Sequence, residues 1–182
     1  PFFASITKSE TTNTDITQQY YVIEESERDD AIIRLMDAED AQKTVVSCRT
    51  KKEVDRLSNV LSAVGYSAKG LHGDMEQRQR ESVIKGLKTD AVDVLIATDV
   101  AARGLHIDGV THVFNYHIPF DAESYVHRIG RTGRAGSKGD AIALVDDSEK
   151  RLLDDIEKLM KRKLEVAPLP NVKATPGQPT DP

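Results

Sequence analysis

Thr44-Val45-Val46-Ser47-Cys48-Arg49-Thr50-Lys51-Lys52-Glu53-Val54-Asp55-Arg56-Leu57-Ser58-Asn59-Val60-Leu61-Ser62-Ala63-Val64 opens on a β-branched run and passes directly into a helical repeat. Thr44, Val45 and Val46 suit a strand, because branched side chains pack well on a pleated surface. Val54, Leu57, Leu61 and Val64 then recur at spacings of three and four, which gathers them on one face of a helix. A strand feeding an amphipathic helix is half of a β-α-β unit. The alternation continues outward from it. Upstream lie Tyr20-Tyr21-Val22-Ile23 and an Ala31, Leu35, Ala38 stripe. Downstream, Val83, Ile84 and Leu87 share a helical face, and Val92–Ile96, Val110–Phe114 and Ala141–Val145 read as strands. Asp147 through Lys163 predicts a closing helix with Leu152, Leu153, Ile156, Leu159 and Met160 facing inward. This order predicts right-handed crossovers and a three-layer α/β domain, its central sheet mostly parallel and flanked by helices. In such a sheet ligands bind at the carboxyl ends of the strands, so the loops that follow the strands are where chemistry belongs.

The chain has 182 residues, enough for one domain with a substantial core. Residues 1–17, rich in Thr and Ser, read as an interdomain connector plus the opening strand. Residues 18–165 form the domain, and 166–182 a Pro-rich linker or tail. No internal repeat is visible. No run approaches the roughly 18 apolar residues of a membrane span, and no signal peptide opens the chain. A single cysteine, Cys48, excludes an internal disulfide and any thiolate-clustered metal site, which points to a reducing cytoplasm. His112 alternates with Val110 and Phe114 and reads as structural. The net charge is −5, yet Arg128, Arg131, Arg134 and Lys138 lie together with no acidic residue among them. On charge alone that run is a solvated basic face or a phosphate-binding patch.

The run belongs to His127-Arg128-Ile129-Gly130-Arg131-Thr132-Gly133-Arg134-Ala135-Gly136. Three arginines at three-residue spacing project from one side of a helical turn, and the planar guanidinium fork suits phosphate oxygens. Its first eight residues resemble motif VI of the DEAD-box RNA helicases. Ala97-Thr98-Asp99-Val100-Ala101-Ala102-Arg103-Gly104-Leu105 is similar to motif V, and Val45-Val46-Ser47-Cys48-Arg49-Thr50 to motif IV. His72-Gly73-Asp74, followed by Gln77 and Arg80, resembles two further elements of the family. Order and spacing agree from about Ile16 to Val145, and the chain is identified as the C-terminal RecA-like domain of a bacterial DEAD-box ATP-dependent RNA helicase.

The resemblance implies a division of labour. Arg131 and Arg134 are expected as arginine fingers reaching the γ-phosphate of ATP across an interdomain cleft, with His127 engaging the opposite domain. Arg103 and Gly104 are expected on the nucleotide side. Arg49, Thr50, Gly73, Thr98, Arg128, Gln77 and Arg80 are expected on the RNA side, binding backbone phosphates without regard to sequence. Thr50 also fits a plain helix cap, and Asp99 either orders its loop or meets a ligand. The family usually has Asp where this chain has His106, so the ribose contact implied there rests on an imidazole, which lacks a carboxylate's charge.

Neither a Gly-x-x-x-x-Gly-Lys-Ser/Thr loop nor an Asp-Glu-Ala-Asp box occurs, and Asp37-Ala38-Glu39-Asp40 is only a compositional lookalike. The expectation is therefore a half-motor, inactive alone. ATP and Mg²⁺ would be held mainly by an upstream RecA-like domain, the chief protein partner. Ribosome-assembly or RNA-degradation proteins are further possible partners, and a membrane is not. Two rivals stand beside this reading: a DNA-directed helicase, and a non-catalytic RecA-like adaptor that binds RNA or protein.

Overall fold

The computed structural model describes residues 16–133 and 138–166. The chain runs through β1 (Ile16–Val22), α1 (Arg28–Glu39), β2 (Thr44–Cys48), α2 (Lys51–Ala63), β3 (Ala68–Leu71) and α3 (Gln77–Lys88). It continues through β4 (Val94–Thr98), the one-turn α4 (Asp99–Ala102), β5 (His112–Asn115), α5 (Ala122–Ile129), β6 (Gly139–Val145), α6 (Lys150–Met160) and β7 (Glu165–Val166). Short 3-10 turns at Glu25–Glu27 and Asp147–Glu149 lead into α1 and α6.

The strands form one seven-stranded sheet in the order β3-β4-β2-β5-β6-β1-β7, and every neighbouring pair is parallel. β2 and β4 are buried at all five positions, as expected of strands covered on both faces. On one face α1 and α2 pack Ile32, Leu35, Val54, Leu57 and Leu61 against Val46, Ile96, Phe114 and Ile142. On the other, α5 and α6 place Tyr125, Ile129, Leu153 and Ile156 over Ala141 and Val145. Leu87 of α3 and Ala101 and Ala102 of α4 cover Val45, Leu95 and Val113 on that same face. The expected three-layer α/β architecture is present.

Several details differ from the sequence expectation. β3, Ala68-Lys69-Gly70-Leu71, carries no β-branched residue and gives no strand signal. Gly70 is there because α2 passes close: a Cβ at this position would lie 2.7 Å from Val54 Cγ1. Ala38 and Val64, placed on apolar stripes, are exposed because each sits where its helix runs out past the core. The closing helix starts at Lys150, later than expected, after Asp146 and Glu149 cap each other reciprocally around the 3-10 turn. Among the described residues no helix is long and apolar enough to cross a membrane.

Candidate functional site at the carboxyl edge of the sheet

The strand register sets the site. β2 pairs Cys48 with Thr98, and β3 pairs Leu71 with Ala97. Arg49-Thr50 and His72-Gly73 therefore leave the sheet on either side of Thr98. The chain leaving β2 crosses to β3 over the face covered by α2, whereas the chain leaving β4 crosses to β5 over the opposite face. Connections that part in this way open a crevice at the carboxyl edge.

Each loop is held by its own polar bonds. Thr50 caps α2, its Oγ1 accepting from Glu53 N at 3.2 Å, and the Glu53 carboxylate accepts in return from Arg49 N at 3.2 Å. Burial works against the charge on Glu53, but His117 and the amides of Arg49 and Thr50 outweigh it and hold the carboxyl below the ordinary glutamate value. The Thr50 hydroxyl thus accepts within the cap and keeps its own proton to donate. Thr98 Oγ1 likewise accepts from Ala101 N at 3.3 Å, closing the turn of α4. The His72 ring accepts from Asp74 N through Nδ1 at 3.2 Å, so in the neutral ring Nε2–H donates to Asp55, 3.1 Å away. Lys51 and Asp74 join the two loops at 2.9 Å, and Lys51 holds the Asp74 carboxyl below its ordinary value. Gly73 stands exposed, with nothing near the position a Cβ would take, so a ligand can reach its backbone.

Arg49 turns toward the sheet. It donates through Nε to Ile118 O at 3.1 Å, reaches Glu149 at 3.3 Å and stacks 4.0 Å above the exposed Phe120 ring. Arg128 is buried even more completely. Its Nε and Nη2 grip the two oxygens of Asp99 at 2.7 and 3.0 Å, and its Nη1 donates to Asn115 Oδ1 and His117 O at 2.8 and 2.6 Å. Four of five N–H donors are thereby committed inside the protein. Asp99, left open between two roles by the sequence, orders its loop through this fork.

A cleft of about 70 Å³ lies beside this pair, lined by Ser47, Asp99, Arg103, Ser124, His127 and Arg131 among others. Arg131 is half-buried and donates to Leu105 O at 2.7 Å, which ties the turn after α5 to the loop after α4. His127 and Arg103 are exposed at the cleft mouth. Gly104 adopts a left-handed φ of +81°, which bends the chain away at that point, and His106 is exposed beyond it. Arg134 lies outside the described residues. Asp99 is the single carboxylate among the described residues of the cleft, and Arg128 occupies both its oxygens, so the lining described here holds no ready ligand for Mg²⁺.

The structure thus brings Arg49, Thr50, Gly73 and Thr98 together on one stretch of edge, and Arg103, His127 and Arg131 on the adjoining stretch. Gln77 and Arg80 stand further back on α3. Gln77 donates to Glu81 at 3.1 Å, and Arg80 points its Nη1 at His72 O from 3.5 Å. The sequence did not single out Asp55, Lys51, Asn115 or Glu149 as parts of this edge. Glu149 is buried, accepting from Arg28 at 3.0 Å as well as from Arg49, so it carries the β2 loop onto the base of α6. Its partners lie 121 and 100 residues away, and no local pattern announces such a contact.

Comparison with known proteins places this fold in a class. Residues 27–136 match the helicase conserved C-terminal domain. The DEAD-box ATP-dependent RNA helicase RhpA of Helicobacter pylori is 51% identical over 172 residues, covering 94% of this chain and 35% of its own length. E. coli SrmB, solved bound to the regulator of ribonuclease activity A, superposes with a TM-score of 0.79 at 38% identity, over 84% of this chain and 90% of that one. Dbp5 of S. cerevisiae, solved with RNA and ADP BeF3, gives 0.81 at 32% identity, over 86% of this chain and 42% of that one. The chain belongs to the helicase conserved C-terminal domain family, as the C-terminal RecA-like domain of a DEAD-box protein. It spans about a third of the length of the curated relatives it matches.

Proposed function

We propose that this domain is the C-terminal half of an ATP-dependent RNA helicase acting in the cytoplasm, in which it closes over nucleotide and RNA held jointly with an upstream RecA-like domain. The observation that carries the reading is the adjacency of two different half-sites on one rigid edge. The Thr50 and Thr98 hydroxyls and the open backbone at Gly73 suit RNA phosphates, which are bound without reading bases. Arg131, with Arg134 after it, suits the charge that develops on a γ-phosphate during transfer. His127 and Arg103 stand at the mouth of the cleft, where an opposing domain would meet them, and the exposed Gly104 and His106, next along the same loop, are assigned to the nucleotide side. Arg128 acts as a positioning residue: it fixes Asp99 and with it the loop that begins at Thr98. Gln77 and Arg80 support the His72-Gly73 turn from α3.

ATP supplies the phosphoryl group, and Mg²⁺ neutralises its oxygens when bound. The carboxylates that hold the ion are assigned to the upstream domain, because Asp99 is already committed. ATP and single-stranded RNA bridging the cleft favour the closed arrangement, in which Arg131 completes the reaction site, and release of products reopens it.

The test is RNA-stimulated ATP hydrolysis, measured for this chain alone and for the chain joined to its upstream domain. The expected result is none from the chain alone, activity from the joined form, and a fall of roughly 10³-fold or more for Arg131→Ala in that form. Hydrolysis by the chain alone, or an Arg131→Ala variant as active as the parent, would refute the reading.

A further inference from the structure

The amino edge of the sheet, opposite the site above, carries a group that helicase chemistry does not use. β5 and β6 pair His112 with Asp140, so both side chains leave the same face of the sheet. α1 ends over that face with Glu39 as its last residue, and the ligand atoms of Glu39, His112 and Asp140 all lie within 4.8 Å of one another. His112 Nε2 stands 3.4 Å from Glu39 Oε1 and 3.5 Å from Asp140 Oδ2. These separations are long for hydrogen bonds. They suit two donors on one small ion: tetrahedral bonds of about 2.0–2.2 Å put neighbouring donors roughly 3.3–3.5 Å apart.

The hydrogen bonding of the ring points the same way. Thr111 Oγ1 donates to Lys43 O at 3.3 Å and lies 2.8 Å from His112 Nδ1. A hydroxyl both donates and accepts, so Thr111 Oγ1 can take a hydrogen bond from Nδ1–H while its own proton is directed to Lys43 O. In that tautomer the Nε2 lone pair faces two carboxylates. The two carboxylates and the carboxyl end of the α1 dipole give this point a negative potential that favours a cation. His112 is buried while Glu39 and Asp140 reach solvent, which leaves a path for an ion and its water ligands.

We infer that Glu39, His112 and Asp140 form a divalent transition-metal site, with Zn²⁺ as the fitting ion and water completing its coordination. One imidazole with two carboxylates suits Zn²⁺ better than Mg²⁺ or Ca²⁺, which prefer oxygen alone. Thr111 steadies the plane of the ring through its 2.8 Å contact with Nδ1, the usual service of a hydrogen-bonded partner to a ligating histidine. The ion clamps the end of α1 to the starts of β5 and β6, and so stabilises the sheet from the edge remote from the cleft.

The experiment is titration of the chain with Zn²⁺, followed by calorimetry and by thermal unfolding, with Co²⁺ as a spectroscopic substitute. One equivalent is expected to bind, with a melting temperature that rises as free Zn²⁺ rises. Glu39→Gln and Asp140→Asn alter partly exposed side chains, and their folding is checked by circular dichroism. Each should lower the affinity tenfold or more, and Thr111→Val should lower it roughly tenfold by releasing the ring. Absence of Zn²⁺ uptake overturns the inference, as does uptake that Glu39→Gln and Asp140→Asn leave intact. So do His112 ring resonances that follow pH but ignore Zn²⁺, since the point between the three groups would then hold a proton only.

Discussion

Arg128 shows how one side chain of an arginine-rich run can order a loop from inside the protein instead of facing out. The sequence places it in an arginine-rich run and offers no way to tell which arginines face out. The fold decides by depth: α5 buries Arg128 and Ile129 together and leaves His127 exposed. A buried guanidinium must be paired, and Asp99, Asn115 and the His117 carbonyl provide the acceptors. Removing it leaves Asp99 and Asn115 without their donor, so Arg128→Ala should cost about 3–5 kcal/mol in urea unfolding. Arg128→Lys should recover little of that, because an ammonium cannot span both oxygens of Asp99 and reach Asn115 as well. Asp99→Ala should cost less, since its carboxylate is 38% exposed and water can replace part of the lost contact. Equal losses from Arg128→Ala and Asp99→Ala would mean that the carboxylate, not the guanidinium, organises the loop.

Elements were legible in proportion to how much of their order is local. β2 and α2 announce themselves through branched residues and a helical stripe, and the structure has both at Thr44–Cys48 and Lys51–Ala63. β3 escapes notice because its place at the sheet edge needs only Ala68 and Leu71 inside and a glycine where α2 crosses. The site divides in the same way. Thr50, Gly73, Thr98 and Arg131 fall within recognisable motifs, whereas the Lys51–Asp74 and His72–Asp55 pairs exist only once two loops are folded side by side. The start of β6 shows the consequence of such packing. A Cβ on Gly139 would stand 2.7 Å from Gly133 N and press on Thr132, whose hydroxyl donates to Val110 O. Thr132 is buried and pins the chain immediately after Arg131. Gly139→Ala should therefore push that turn outward, at a cost of about 1–3 kcal/mol. In the joined protein it should lower ATP turnover more than RNA affinity. A variant whose turnover is intact despite the lost stability would show that the position of Arg131 does not depend on the Thr132 anchor.

At the scale of the whole molecule the charge balance constrains how RNA can be held. The chain carries −5 overall, and the proposed RNA edge has few cations to spare. Arg49 is engaged with Ile118 O and Glu149, and Lys51 with Asp74. What the edge offers a phosphate is largely neutral: the Thr50 and Thr98 hydroxyls and the open backbone at Gly73. Contacts of that kind release few counterions, whereas each phosphate neutralised on a single strand contributes roughly −0.7 to the slope of log affinity against log salt. The chain alone should therefore bind single-stranded RNA weakly, with a slope of about −2 or shallower by that count. Fluorescence anisotropy across a salt series reads it directly. Lys158, Lys161, Arg162 and Lys163 form the other basic concentration, at the end of α6 and beyond. If RNA reached that cluster the slope would steepen and would relax again on Lys158→Ala with Lys163→Ala. An edge that works through hydroxyls and amides predicts instead that the double variant leaves the slope unchanged, while Thr98→Val weakens binding equally at every salt concentration.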